Sequence, residues 1–150
     1  MHHLVGRPPL TAMAINYARL CAPYVAACAL RRGTIRAGDF SDGAYAEAAT
    51  QALARRVEVL VRDAGNPNAL TPVTVAIELA DGRRHETRID AVYGSPAKPM
   101  TRDAHLAKFM SNAALGTPPV PAAKARQLIE RVDRLEAVDD VTTLVDLLIG

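Results

Sequence analysis

The strongest constraint on the fold is a pair of strand-like segments joined by Asp81-Gly82. In Val73–Leu79 the large apolar residues occupy every second position, as in a strand with one buried face. Asp-Gly favours a tight hairpin turn because glycine readily adopts positive φ. The partner segment, Arg83–Val92, is rich in charge, which is typical of a strand at the edge of a sheet. The sequence therefore predicts an antiparallel hairpin.

A third strand is predicted over Val57–Arg62, because its apolar residues alternate and are dense enough for a central strand. With the hairpin it would form a sheet of three or more strands, largely antiparallel. The predicted fold class is α+β, with helices packed on this sheet and further helices at the C-terminus.

Two helices are predicted before the sheet. Tyr17–Arg32 carries small and apolar residues on nearly all faces, so we expect a helix packed on several sides, kinked or restarted at Pro23. Gly33 should end it. A second, alanine-rich helix is predicted over Asp42–Arg55, capped by Ser41.

Three helices are predicted after the sheet. Thr101 can cap the first, which should run to Ala114. Asp139 or Asp140 can cap the last, predicted over Val141–Ile149. Between them lies an apolar stripe at helical spacing. Its residues are Leu128, Ile129, Val132 and Leu135.

The composition argues against several kinds of partner. A net charge of +2 spread over 150 residues, with six aromatics, gives no basic stripe or stacking platform for nucleic acid. The apolar stretch Leu20–Leu30 is shorter than the roughly 20 residues needed to cross a membrane. In a helix Cys21 and Cys28 would lie about 10.5 Å apart, too far for a disulfide. Buried free thiols and a cytoplasmic location are therefore expected.

The usual motifs for catalysis with a cofactor are missing from the sequence. His and Cys show no metal-ligand spacing, and no Gly-rich phosphate loop or Gly-x-Ser-x-Gly elbow occurs. Tyr17 and Tyr24 share one helix face, with Arg19 nearby. Two interpretations remain open: tyrosines in the core with satisfied hydroxyls, or a phenol and a guanidinium that would suit a di- or tricarboxylate.

Several short motifs occur in a fixed order along the chain. They are Arg7-Pro8, Pro23-Tyr24-Val25-Ala26, Phe40, Arg56–Arg62, Asp81-Gly82, Tyr93-Gly94, Lys98-Pro99-Met100-Thr101 and Lys108-Phe109. In order and spacing they resemble the C-terminal part of the MmgE/PrpD family, which includes 2-methylcitrate dehydratase and cis-aconitate decarboxylase. Ser95 departs from the family pattern, since many relatives carry histidine after this glycine.

The resemblance implies two structural segments in the chain. Residues 1–100 would form an α+β lid domain, and residues 101–150 a helical segment that packs on a helical domain outside this chain. Tyr24 matches a family tyrosine near the active site, so it is implied in substrate orientation or proton handling. Arg19 and Tyr17 are further substrate-binding candidates. The implied chemistry needs a general base but no metal or nucleotide cofactor, and the base belongs to the helical domain.

The function predicted from this resemblance is the C-terminal part of a lyase or isomerase of small carboxylates, inactive alone. It would act as a homodimer or paired with a separate helical subunit. The alternative is a non-catalytic binding or assembly module that docks on a partner protein through apolar stripes left exposed. A ferredoxin-like small-molecule sensor rests only on element order and predicts a closed pocket within this chain.

Overall fold

The computed structural model describes residues 5–41, 43–61, 66 and 69–149. The chain divides into two compact units between Leu70 and Thr71. The described part of the first unit contains three α-helices and two 3₁₀ turns. The helices are α1 (Ile15–Leu20), α2 (Ala22–Arg32) and α3 (Ala48–Ala54), and the 3₁₀ turns span Ala37–Phe40 and Ala44–Ala46.

The break between α1 and α2 follows from Pro23. Proline has no backbone N–H and its ring clashes with the carbonyl four residues before it, so a continuous helix is disfavoured here. The chain leaves helical geometry at Cys21 (ψ 89°), and Pro23 stands in the first turn of α2, where proline is tolerated. Gly33 then ends α2 with φ 71°, a left-handed conformation that costs glycine little. The predicted restart and stop are both confirmed.

The core of the first unit forms where α1 and α2 meet the two 3₁₀ turns. Its buried members are Ala18, Cys21, Tyr24, Cys28 and Tyr45, with Met13, Tyr17 and Phe40 packed against them. Small residues let the helices approach closely, so the large tyrosine rings fill the space between the elements. This core is therefore built around aromatic rings contributed by both α2 and the turns.

The prediction of one helix over Asp42–Arg55 is wrong. Asp42 lies outside the described residues, and the rest divides into the second 3₁₀ turn and the shorter α3. The two are separated at Glu47, whose ψ of 111° is not helical. Alanine content favours a helix, but the turn buries Tyr45 in the core, and that packing outweighs local propensity.

The second unit contains a β-hairpin followed by helices. Its described elements are β1 (Val73–Glu78), β2 (Arg84–Ile89), α4 (Arg102–Ala113), α5 (Ala122–Val132), a 3₁₀ turn over Leu135–Ala137, and α6 (Thr142–Val145). Ala125 and Leu128 of α5 are its buried apolar residues in the described part of the chain. In neither unit is any described helix long and apolar enough to cross a membrane.

The predicted hairpin is confirmed. β1 and β2 pair antiparallel with Val73 opposite Ile89 and Ile77 opposite His85. The N–H of Gly82 donates to the carbonyl of Leu79 at 3.0 Å, which closes the turn. Every residue of β2 is exposed, as its charge predicts.

The predicted sheet of three or more strands is wrong: in the described residues the sheet has two strands, β1 and β2. Arg62 lies outside the described residues, and 57–61 is not a strand. Leu60 and Val61 expose 72% and 67% of their surface. The β propensity of Val and Leu comes largely from packing on a sheet, and these side chains obtain little of it. The α+β character remains, with a smaller sheet.

Predicted capping residues form side-chain hydrogen bonds at the starts of two helices of the second unit. Thr101 Oγ1 accepts a hydrogen bond from the N–H of Ala104 at 3.2 Å, and α4 runs nearly over its predicted span. Asp140 Oδ1 accepts from the N–H of Thr142 at 2.8 Å. The last helix is nevertheless shorter than predicted: α6 ends at Val145 and not at Ile149.

We expect Thr101→Ala to weaken α4 by about 1 kcal/mol, because the first turn loses its side-chain acceptor. The free energy of local opening, measured by amide hydrogen exchange along α4, checks this. Thr101→Ser keeps the hydroxyl and is the matched control. Equal protection of α4 in the alanine and serine variants would show that the cap contributes nothing.

Candidate functional site

Tyr24, the main candidate predicted from the sequence, lies fully buried in the core of the first unit. Its ring meets the rings of Phe40 and Tyr45 edge to face, with centroids 6.4 and 5.7 Å apart. Its hydroxyl donates a hydrogen bond of 2.6 Å to the backbone carbonyl of Asp39. This phenol therefore links helix α2 to the first 3₁₀ turn.

Burial also decides the protonation of Tyr24. Removal from water disfavours the phenolate, so the pKa of the Tyr24 hydroxyl is raised above its ordinary value, with the neighbouring Cys28 adding to the effect. At neutral pH the group is a neutral hydrogen-bond donor. Any proton transfer through it would require the bond to Asp39 to be released.

Arg19 is exposed, and its guanidinium carbon lies 6.0 Å from the centre of the Phe40 ring. The structure thus brings Arg19 and Tyr24 to the same aromatic ring. A guanidinium near an aromatic face is weakly held and keeps its donors free for a carboxylate. The substrate-binding role of Arg19 stays a prediction.

Tyr17, the third candidate, points toward the N-terminal segment. Its hydroxyl donates to the carbonyl of Pro8 at 2.9 Å, and the guanidinium carbon of Arg7 lies 5.1 Å from its ring centre. Tyr17 is half-buried and packs on the same core as Tyr24. The hydroxyls of Tyr17 and Tyr24 therefore both donate to backbone carbonyls. This agrees with the first interpretation, in which they are core tyrosines with satisfied hydroxyls.

The first unit also contains an ionic cluster that the sequence analysis missed. It joins the C-terminal end of α2 to the first 3₁₀ turn and to the start of α3. We call it the α2 ionic cluster; its members are Arg31, Arg32, Asp39, Glu47 and Thr50.

Arg32 is the central member of this cluster. It forms an ion pair with Asp39, whose side chain is 6% exposed, and another with Glu47 at 2.7 Å. Arg31 approaches the second carboxylate oxygen of Glu47 at 2.5 Å. The hydroxyl of Thr50 donates to Glu47 at 2.7 Å. Two cations meet two anions, so the cluster is neutral and its carboxylates are fully engaged.

Only the two arginines of this cluster form a recognisable pattern in the sequence. Arg31-Arg32 beside a helix-ending glycine suggests favourable interaction with the helix dipole. Asp39 and Glu47 follow at 7 and 15 residues from Arg32, spacings that belong to no local pattern. Only the folding of the two 3₁₀ turns brings them together.

The two cysteines are free and buried, as predicted. Cys21 Sγ donates to the carbonyl of Arg7 at 3.2 Å, and burial raises the pKa of its thiol. Cys28 Sγ lies 3.9 Å from a guanidinium nitrogen of Arg32. In the described part of the chain, no group of three or more His, Cys, Asp or Glu side chains could hold a metal ion.

Comparison with known families identifies the class of protein. The family model described as the MmgE/PrpD C-terminal domain matches residues 1–135. The chain therefore belongs to the MmgE/PrpD family and represents its C-terminal domain, as the ordered motifs predict. No curated protein matches the chain.

The α2 ionic cluster predicts a specific acid sensitivity. Hydrogen bonds from Arg31 and then Thr50 lower the pKa of Glu47 from 4.5 to about 2. A carboxylate whose pKa is depressed by folding adds stability above its unfolded pKa and loses it as pH falls toward the folded value. We therefore expect the contribution of Glu47 to be complete above pH 4.5 and to fade between 4.5 and about 2.

The measurement is the melting temperature of the wild type and of Glu47→Gln between pH 6 and 2. The difference between them should be largest above pH 4.5 and shrink toward pH 2. Glu58→Gln alters an exposed carboxylate of the same unit and is the control. A difference between wild type and Glu47→Gln that does not change with pH would contradict the ionic role of Glu47.

Proposed function

We propose that this chain is the C-terminal part of an MmgE/PrpD-type lyase that acts on small di- or tricarboxylates. The observation that supports it most is the family match over residues 1–135. The residues around Tyr24 add a second line of support. A neutral phenol and an exposed guanidinium both contact the ring of Phe40, and a carboxylate is the natural partner of such a guanidinium.

The proposal includes inactivity of the chain alone. Elimination next to a carboxylate needs a general base within hydrogen-bond reach of the proton. Among the described residues near Tyr24, the carboxylates Asp39 and Glu47 are both held in ion pairs with arginine. The ion pairs keep both carboxylates engaged, and the lowered pKa of Glu47 makes it a weak base. We therefore assign the base to a helical domain on another chain or on another part of a longer one.

Tyr24 has an orienting role in this proposal. Its hydroxyl fixes the first 3₁₀ turn through Asp39, and that turn carries Phe40, over which Arg19 lies. When the helical domain closes, Tyr24 would exchange its bond to Asp39 for one to the substrate. Arg19 would bind a substrate carboxylate, and Tyr17, on the same helix as Arg19, would hold that helix through its bond to Pro8.

A second candidate, a non-catalytic assembly module, is favoured by exposed apolar residues in the C-terminal part of the second unit. Val132 and Leu135 expose 51% and 48% of their surface, and Val141 and Val145 expose 62% and 50%. Leu128, in the same predicted stripe, is by contrast buried. Exposed side chains of this kind suit a protein interface. The same surface would serve docking on a helical domain or on a second copy.

The lyase proposal is tested by mixing the chain with a separately expressed helical domain from a full-length relative. Light scattering measures complex formation, and turnover of 2-methylcitrate and cis-aconitate measures activity. We expect a complex that is active when neither part alone is. A stable, inactive assembly that ignores the helical domain would favour the assembly module instead.

Matched tyrosine variants test the role of Tyr24 in that active complex. Tyr24→Phe and Tyr45→Phe each remove one buried hydroxyl that donates to a backbone carbonyl at 2.6 Å. Both should therefore lose similar stability, about 1 kcal/mol. If Tyr24 handles the substrate proton, only its variant should lower turnover, by about 10²-fold or more. Equal turnover in the two variants would confine Tyr24 to the core.

A matched arginine pair tests the carboxylate contact. Arg19→Gln and Arg7→Gln each remove a guanidinium that lies over an aromatic ring. We expect Arg19→Gln to raise KM by about tenfold, since a hydrogen bond to a charged group contributes about 1.5–3 kcal/mol. Arg7→Gln should leave KM unchanged. The same KM in both variants would exclude Arg19 from substrate binding.

A further inference from the structure

The second unit has a cleft at the junction between the hairpin and α4. It is open to solvent and has a volume of about 440 Å³, within the size range of small-molecule sites. Its lining residues come from one loop and the first turn of the following helix. They are Gly94, Ser95, Pro96, Pro99, Met100 and His105. Tyr17, Arg19 and Tyr24 are not among them.

The loop that forms one wall is held by its own backbone. The N–H of Gly94 donates to the carbonyl of Lys98 at 2.8 Å, and the N–H of Lys98 donates to Ser95 at 2.9 Å. Ser95 in turn donates its N–H to Val92 at 3.0 Å. Gly94 has φ 89°, and a Cβ built there would lie 3.6 Å from Met100. The wall is therefore a closed turn packed on Met100.

The side-chain hydroxyl of Ser95 takes no part in these hydrogen bonds. Both of its backbone groups are hydrogen-bonded, yet its hydroxyl oxygen is shielded from solvent and has no partner in the described part of the chain. An unsatisfied buried hydroxyl costs about 1–3 kcal/mol. Because hydroxyls move among staggered χ1 positions, Ser95 can turn its O–H to a ligand in the cleft that it lines.

His105 supplies the second polar group and is fixed by the start of α4. Its backbone N–H donates to the carbonyl of Thr101 at 3.0 Å, and Thr101 also caps the helix through its side chain. The imidazole carries at least one N–H donor. Ser95, after rotation of its hydroxyl, and His105 could thus each donate a hydrogen bond to a ligand in a cleft otherwise lined by glycine, proline and methionine.

We propose that this cleft binds a small monocarboxylate that carries a short apolar chain. The carboxylate would accept hydrogen bonds from Ser95 and His105, and the apolar chain would lie against Pro96, Pro99 and Met100. A cation is disfavoured because none of the described residues that line the cleft is acidic. Its apolar walls suit an aliphatic chain better than a second charge. The inference does not depend on the proposed lyase function.

The test uses the full chain and butyrate as the probe, with butyramide as its neutral analogue. NMR titration follows the backbone amides of Gly94, Ser95 and His105 and the methyl group of Met100. We expect saturable shifts of these signals with butyrate and binding at least tenfold weaker with butyramide. Absence of saturation, or equal binding of both probes, would overturn the proposal.

Two pairs of variants separate the proposed contacts from general effects on folding. Ser95→Ala and His105→Gln should each weaken butyrate binding by about threefold to tenfold, the loss expected for one hydrogen bond. Ser111→Ala and His85→Gln change exposed residues outside the cleft and should bind like the wild type. Unchanged affinity in both cleft variants would overturn the assignment of Ser95 and His105, even if butyrate bound elsewhere.

Discussion

The first unit depends on the ion pair between Arg32 and Asp39. Asp39 is almost fully buried, and a buried carboxylate without a partner would be strongly destabilising. The pairing fixes the first 3₁₀ turn against the end of α2 (Ala22–Arg32), and the backbone carbonyl of the same aspartate accepts the Tyr24 hydroxyl. Arg32 also reaches Glu47, where α3 begins. One guanidinium therefore connects three segments that have little regular structure to hold them together.

Elements set by local chemistry were predictable from the sequence, and elements set by distant partners were not. The Asp81-Gly82 turn, the Thr101 cap and the helix restart at Pro23 each depend on residues within a few positions. The predicted strand over Val57–Arg62 depended on a neighbour that no local pattern specifies, and Leu60 is exposed. The helix predicted to reach Arg55 failed because burying Tyr45 requires a turn.

The candidate site shows the same division. A resemblance in ordered motifs pointed to Tyr24 and to the MmgE/PrpD family, and the family match confirms the membership. The position of Tyr24 inside an aromatic core, with its hydroxyl on Asp39, needed the fold. The cleft at Ser95 was equally hidden, since a serine in a Gly/Pro-rich loop has no distinguishing pattern until its backbone bonds are known.

Phe40 is the shared neighbour of Arg19, whose guanidinium lies over its ring, and of Tyr24, whose ring meets it edge to face. Residues that touch a common side chain seldom act independently when they change. Substitutions at these three positions should therefore be epistatic: the effect of altering one depends on which residues occupy the other two. In evolutionary terms, the ring couples an exposed cation to a buried phenol, so the surface position is less free to drift than its exposure suggests.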